Sequence, residues 1–296
     1  MMNLEMVVEN VKEMMGERYS VEARTVQKNN GLVLEGIVVR EGDSAIAPTI
    51  YVTEEQLEEK GERGLAEWVC GVYRRTESET PKVDVKKLSD KKFVLENVEY
   101  RLVGYEANKE KLARVPHKNL VDMAAMYVVV IGKDDEGMAS YTLNNDHMMT
   151  MGIEYDELDA AAKKNTAEKG GIIFTNVMEV MEEIMYGKPI EKTDIEDAEF
   201  DGFELFILTN RRKMFGASLM MYGELLAKIA EKAESDLYIL PSSVHEVLVL
   251  KADNEIEPKE LKTMVTEING TEVAQDEVLT DNAYRYVRES GKLEVV

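Results

Sequence analysis

Only a few side chains in this sequence have the types and spacing of a catalytic or metal-binding site. The three histidines are His117, His147 and His245, and the single cysteine is Cys70. Zinc sites are built from Cys and His pairs at short, regular spacings, and no such pair occurs here. We therefore predict neither a metal ion nor a cofactor.

The best-placed pair for covalent catalysis is Ser243 and His245, which follow Pro241 in a predicted turn between two strands. A serine hydrolase needs a hydroxyl within reach of an imidazole that a carboxylate orients. His117, His245 and Ser243 are accordingly the catalytic candidates. The alternative is a turn whose hydroxyls bond main-chain groups. With no nucleophile elbow and no phosphate-binding glycine loop, the sequence favours a protein that is not an enzyme.

A run of acidic residues is the strongest local feature of the chain. Between Glu191 and Glu204, seven acidic residues accompany one lysine, Lys192. Such a run is typical of a solvated loop, and the alternative is a docking surface for a basic partner. The candidate interaction residues are Glu191, Asp194, Glu196, Asp197, Glu199, Asp201 and Glu204.

The composition limits the possible partners and compartments. The 296 residues carry a net charge of −22, so we expect no direct binding of nucleic acid and no attraction to an anionic membrane. A hydrophobic fraction of 44% is that of a packed protein. The absence of a long apolar run, of an N-terminal signal pattern and of a cysteine pair predicts a cytoplasmic protein.

The sequence pattern around these residues indicates helices mixed with β-hairpins. The first residues have helical spacing, and Asn29-Asn30-Gly31 separates two strand-like runs. We predict an α+β protein with mixed helices and antiparallel hairpins in two α/β lobes. The lobes are residues 1–112 and a more acidic C-terminal lobe, 113–296. Further predicted elements are a strand at 49–52, helices at 53–75, 156–167, 175–185, 222–233 and 258–268, and strands at 120–131, 138–143, 203–208, 237–240, 244–250, 278–279 and 284–287. The segment 93–105 favours a strand, with a helix as the alternative.

The chain is rich in methionine, with 18 residues. In the helix predicted at 175–185, Met178 and Met181 recur at helical spacing beside valines and Ile184. Unbranched methionine fills irregular gaps in hydrophobic cores, so we predict that these side chains are core filler. A metal or partner site is the alternative.

Several segments resemble a family of uncharacterised proteins that is common in gut-dwelling Gram-positive bacteria and their mobile elements. The most distinctive is Leu237 to Val247, LYILPSSVHEV, with a PSSxHEV-type motif. The other matching segments, in collinear order, are 27–37, 47–51, 100–103, 115–122 and 152–166. The family has no known function, so the resemblance implies a bacterial or phage origin and supplies no reaction.

The function that these observations favour is a non-enzymatic protein-interaction factor of bacterial or mobile-element origin. A surface dense in carboxylates can imitate the phosphates of nucleic acid and occupy a basic groove, as an anti-defence protein would. The expected partner is a basic protein. The alternatives are a hydrolase with a histidine and carboxylate site, and a module that binds a small ligand.

Overall fold

The computed structural model describes residues 3–42, 44, 47–76, 85–133, 138–190, 193–200, 204–252 and 256–296. The chain divides into two compact units. Unit 1 comprises Met1–Asp90 and Ile131–Ala139, and unit 2 comprises Lys91–Val130 and Ser140–Val296. Residues 91–112, which the sequence grouped with the N-terminal lobe, lie in unit 2.

Unit 1 packs two helices on a small antiparallel sheet. Its helices are α1 (Glu5–Met15), α2 (Glu54–Thr76) and the short α3 (Val85–Leu88), and its strands are β1 (Tyr19–Gln27), β2 (Val33–Glu41) and β3 (Thr49–Val52). The strand order is β1-β2-β3, with Gln27 opposite Val33 at the turn. Asn30 and Gly31 adopt positive φ angles of 55° and 71° there, as the predicted hairpin requires.

The N-terminus of α2 shows how the sequence specifies an element. The Thr53 main-chain N–H donates to Gln56 Oε1 at 3.0 Å, and the Gln56 N–H donates to Thr53 Oγ1 at 3.2 Å. This reciprocal capping box satisfies donors that the first helical turn leaves without partners. Cys70 on α2 is buried with the unit 1 core, and this burial raises the pKa of its thiol. A buried, protonated thiol is a packing residue.

Unit 2 contains two antiparallel sheets. The strands β4 (Val98–Gly104), β5 (His117–Leu120), β6 (Met123–Lys133) and β7 (Met138–Thr142) form one sheet, in which β6 pairs with each of the other three. In the described part of the chain, the other sheet has the order β13-β12-β10-β11-β9-β8. Its strands are β8 (Ile173–Asn176), β9 (Leu205–Thr209), β10 (Leu237–Pro241), β11 (Val247–Lys251), β12 (Tyr284–Val287) and β13 (Lys292–Val295).

Helices cover both faces of the larger sheet. The helices of unit 2 are α4 (Lys91–Asn97), α5 (Lys109–Leu112), α6 (Asn145–Thr150), α7 (Tyr155–Gly170), α8 (Val177–Tyr186), α9 (Gly223–Ala233) and α10 (Pro258–Thr271). Leu237 and Ile239 of β10 join one core with α9, whereas Tyr238 and Leu240 join another with α10. Every residue of β10 is buried, so this strand is the centre of the unit.

The structure confirms the predicted α+β class and most of the predicted elements. Several segments differ. The apolar stretch at 93–105 is helix α4 followed by strand β4, and the helix predicted to begin at Thr175 begins at Val177 because strand β8 precedes it. The strand predicted at 278–279 is not formed, and β13 was not predicted. None of the helices in the described part combines the length and hydropathy of a bilayer-spanning segment.

Gly216 provides a test of the packing in unit 2. A Cβ atom at this position would overlap Thr209 Oγ1 and lie 2.6 Å from the His245 carbonyl oxygen. We expect Gly216→Ala to lower the free energy of unfolding by about 1–3 kcal/mol, because the backbone must shift to admit the methyl group. Urea denaturation measures this change. Gly223→Ala is the control, since nothing lies within 4 Å of its Cβ position, and an equal loss in both variants would contradict the packing.

Candidate interaction site

An acidic cavity of about 300 Å³ opens between β8, α8, β9 and residues 194–199 of unit 2. Its walls carry five carboxylates: Glu179, Asp194, Asp197, Glu199 and Glu204. Phe174, Phe206 and Met178 also line it. The cavity therefore combines negative charge with apolar and aromatic surface.

The aromatic residues at the cavity form a packed cluster. The Phe174 and Phe206 rings stack with centroids 4.8 Å apart, and the Phe200 ring lies 4.6 Å from that of Phe206. Phe174 and Phe206 are diagonal neighbours across the β8–β9 pair, since Phe174 lies opposite Leu208 and Phe206 opposite Asn176. Both rings are buried, at 1% and 3% exposed, so the carboxylates are the groups at the cavity that can attract an ammonium or guanidinium group.

The segment that supplies three of the carboxylates is anchored on both sides. The Phe174 N–H donates to the Thr193 carbonyl oxygen at 3.1 Å, and Ile195 is buried. Glu196 pairs with Lys228 of α9 at 2.9 Å, and Lys232 donates to the Glu196 carbonyl oxygen at 2.8 Å. These contacts attach the segment to β8 and α9.

The structure brings together four of the seven predicted interaction residues. Asp194, Asp197, Glu199 and Glu204 line the cavity, whereas Glu196 bonds to α9. Glu191 and Asp201 lie outside the described residues. Glu179, Phe174 and Phe206 also line the cavity and were not predicted, because they lie outside the acidic run.

Helix α8 borders the cavity with an unusual orientation. Met178, Met181, Ile184 and Met185 are 61%, 43%, 78% and 57% exposed, and no residue of this fully described helix is buried. Glu182 of the same helix pairs with Lys188 at 2.6 Å, and Glu183 with Lys213 at 3.8 Å. The prediction that these methionines fill the core is wrong, because the helix turns its apolar side to solvent.

The catalytic candidates Ser243 and His245 lie close together, but their reactive groups have other partners. His245 Nδ1 accepts the Phe215 N–H at 3.1 Å, and Nε2 lies 3.4 Å from Glu277 Oε1. The Ser243 hydroxyl accepts the main-chain N–H of His245 at 3.0 Å. Neither imidazole nitrogen is therefore left to take a proton from Ser243.

The other histidines lie on separate elements. His117 is on β5, with Nδ1 3.1 Å from the Val115 carbonyl oxygen, and His147 is on α6 with its ring against Tyr141. Among the described residues, no group of three or more His, Cys, Asp and Glu side chains could hold a metal ion.

A polar network centred on Asp159 fixes α7 to the smaller sheet. Its carboxylate accepts hydrogen bonds from Tyr100 and Tyr127 at 2.7 and 2.8 Å and pairs with Lys118 at 2.7 Å. Burial opposes ionisation of Asp159, but these three donors outweigh it, so its pKa lies below the usual value. Burial and the bond to Asp159 raise the pKa of Tyr100 and of Tyr127, so both remain protonated donors.

A second network surrounds the loop after β9. Arg212 donates to both oxygens of Glu99, at 2.7 and 2.9 Å, and the two side chains are only 15% and 9% exposed. The Arg101 guanidinium stacks on Phe215 at 3.7 Å. Burial lowers the pKa of Arg101 to about 10, which Glu99 partly opposes. These contacts hold a loop in which Phe215 has a φ of 55°, a conformation that aromatic residues rarely adopt.

The fold and the cavity define an α+β protein with an acidic, aromatic-lined surface site. The chain belongs to a family described as "Family of unknown function (DUF5688)", whose model matches residues 3–288. The resemblance to a family without a known function is thus confirmed, and its bacterial source stays a prediction. Comparison with curated proteins and with solved structures gave no match.

The Asp159 network predicts a pH-dependent stability. Since the pKa of Asp159 is lowered by folding, its contribution is present above the unfolded value of about 3.9 and is lost as the pH falls through the folded value. We expect Asp159→Asn to cost about 2 kcal/mol near neutral pH. The difference from the unmodified protein should shrink below about pH 4.

Urea unfolding at several pH values measures this effect. Asp156→Asn is the matched control, because Asp156 lies exposed on the same helix, and it should change stability by less than about 0.5 kcal/mol. An Asp159→Asn deficit that is constant from pH 7 to pH 3 would contradict the assigned role of the carboxylate.

Proposed function

We propose that this protein is a non-enzymatic interaction factor that binds a basic segment of a protein partner through the acidic cavity. The observation that carries the proposal is the convergence of Asp194, Asp197, Glu199 and Glu204 with Glu179 around an aromatic cluster. These groups come from three separate stretches of unit 2. The proposal places the protein in a bacterial cytoplasm, where it would act by occupying the basic groove of a partner.

The charge distribution supports a cationic partner. Residues 113–296 carry 36 acidic and 19 basic side chains, a net charge of −17 of the total of −22. This field attracts a basic segment from a distance, and it repels the phosphates of nucleic acid. At short range, a Lys or Arg side chain entering the cavity would meet the five carboxylates of its walls.

Neutralising the cavity tests the proposal. The variant Asp194→Asn, Asp197→Asn, Glu199→Gln, Glu204→Gln removes four negative charges at the site. Fluorescence anisotropy with a labelled nona-lysine peptide should give a Kd at least about tenfold higher than for the unmodified protein. Binding to the unmodified protein should weaken as salt is added.

The matched control removes four charges elsewhere in unit 2, by Glu257→Gln, Glu260→Gln, Glu267→Gln and Glu272→Gln. These glutamates are exposed on or beside α10, so the net charge changes equally. The control should bind the peptide within about twofold of the unmodified protein. Equal weakening in both variants would show general attraction to an acidic protein and would contradict a site at the cavity.

A second candidate function, binding of a small ligand, is favoured by one other cavity. It measures about 140 Å³ between α10 and the sheet, and its lining is apolar apart from Ser242. A dry cavity of this size accepts a molecule such as benzene. If the cavity binds a small ligand, benzene should raise the Tm of the unmodified protein. Val265→Phe fills the cavity, so benzene should leave the Tm of this variant unchanged. A Tm of the unmodified protein that benzene does not change would contradict ligand binding.

A further inference from the structure

An apolar stripe of α8 faces solvent, whereas Val177 and Val180 of the same helix are partly buried. Met178, Met181 and Met185 follow one another at spacings of three and four residues and form one stripe, and Ile184 lies beside it. Glu179 and Glu183 point away from this stripe, whereas Glu182, one turn from both Met178 and Met185, lies along its edge. A surface helix of a protein that acts alone has the reverse arrangement, with its apolar side on the core.

The surroundings of the stripe restrict what can cover it. Glu182 and Glu183 are already paired with Lys188 and Lys213, so the middle and the C-terminal end of α8 have little unpaired charge. At the N-terminal end, Met178 and Glu179 also line the acidic cavity. The stripe and the cavity are therefore one continuous surface, apolar at one end and strongly negative at the other.

This charge distribution favours one kind of partner. A second copy of the chain would bring the same carboxylates and a further charge of −22 to the contact, and an anionic lipid surface would be repelled as well. A basic partner is attracted at the cavity and can cover the stripe with its own apolar residues. Interfaces rich in methionine suit such partners because the side chains adapt to different shapes.

We propose that α8 docks a basic amphipathic helix of the partner protein. This inference rests on the function proposed above and specifies its partner. The ten residues of α8 extend about 15 Å, so roughly three turns of a partner helix can lie along them. Apolar residues of the partner pack on Met181, Ile184 and Met185, and its Lys or Arg side chains enter the cavity beside Met178.

Three peptides of about 15 residues serve as probes of the full-length protein. The first is an amphipathic helix of Leu and Lys with leucines at i, i+3, i+4 and i+7. The second has the same composition in a scrambled order without an apolar face, and the third keeps the leucine spacing with Glu in place of Lys. We expect the first peptide to bind at least about tenfold more tightly than either of the others.

Variants locate the contact. Met181→Ser, Ile184→Ser and Met185→Ser together should raise the Kd for the Leu and Lys helix at least about tenfold. The control is Met6→Ser, Met149→Ser and Val295→Ser, three equally exposed apolar residues elsewhere, and it should keep the Kd within about twofold. Circular dichroism melting checks that both variants remain folded, as expected for substitutions of exposed side chains.

Several results would overturn the docking of a basic helix on α8. These are equal binding of the ordered and scrambled peptides, an unchanged Kd in the α8 variant, no binding of the ordered peptide, or a dimer in sedimentation that the α8 variant converts to a monomer. The test is separable from that of the cavity, because nona-lysine has no apolar face. Retained, cavity-dependent binding of nona-lysine with an unchanged Kd for the helix would reject the α8 contact alone.

Discussion

The burial of both faces of the larger sheet in unit 2 is the constraint on which the site depends. β10 has no exposed residue, since one side packs with α9 and the other with α10. The sheet then extends through β11 and β9 to β8, which is its edge strand in the described part of the chain. Phe174 and Phe206 lie at this edge, so the rigid centre of the unit fixes the aromatic side of the cavity.

The helix that follows the edge strand links the two parts of the proposed surface. Glu179 and Met178 face the cavity, and the rest of the apolar stripe continues outward along α8. Glu182 and Glu183 pair with Lys188 and Lys213, while Met181, Ile184 and Met185 are exposed to solvent. Helix α8 thus contributes both to the acidic site for a cation and to the apolar site for a partner helix. The acidic bias of the sequence therefore indicated the negative part of the proposed surface but not its apolar part.

The elements that sequence predicted well are those with local signals. Asn29-Asn30-Gly31 marks its turn through residues that tolerate positive φ, and Thr53 with Gln56 marks a helix start. Strand β8 was joined to α8 in the prediction because four residues are too few to show an alternating pattern. At 93–105 the sequence left strand and helix open, since the seven residues of helix α4 are followed at once by an apolar strand.

The site was less predictable because it depends on distant pairs. The acidic run indicated Asp194, Asp197, Glu199 and Glu204, but only the pairing of β8 with β9 brings Phe174 and Phe206 beside them. The same holds for Glu99 and Arg212, which are 113 residues apart in the chain. Helical spacing shows that α8 has an apolar side, but the direction in which that side points is decided by tertiary contacts.

The most direct test of the account is amide hydrogen exchange of the full-length protein, with and without the amphipathic Leu and Lys peptide. Binding as proposed predicts slower exchange in two segments, α8 at Val177–Tyr186 and residues 193–200 beside the cavity. Exchange at α10, which carries exposed glutamates away from the site, should not change. Protection spread over the acidic surface, or confined to segments other than these two, would contradict the account.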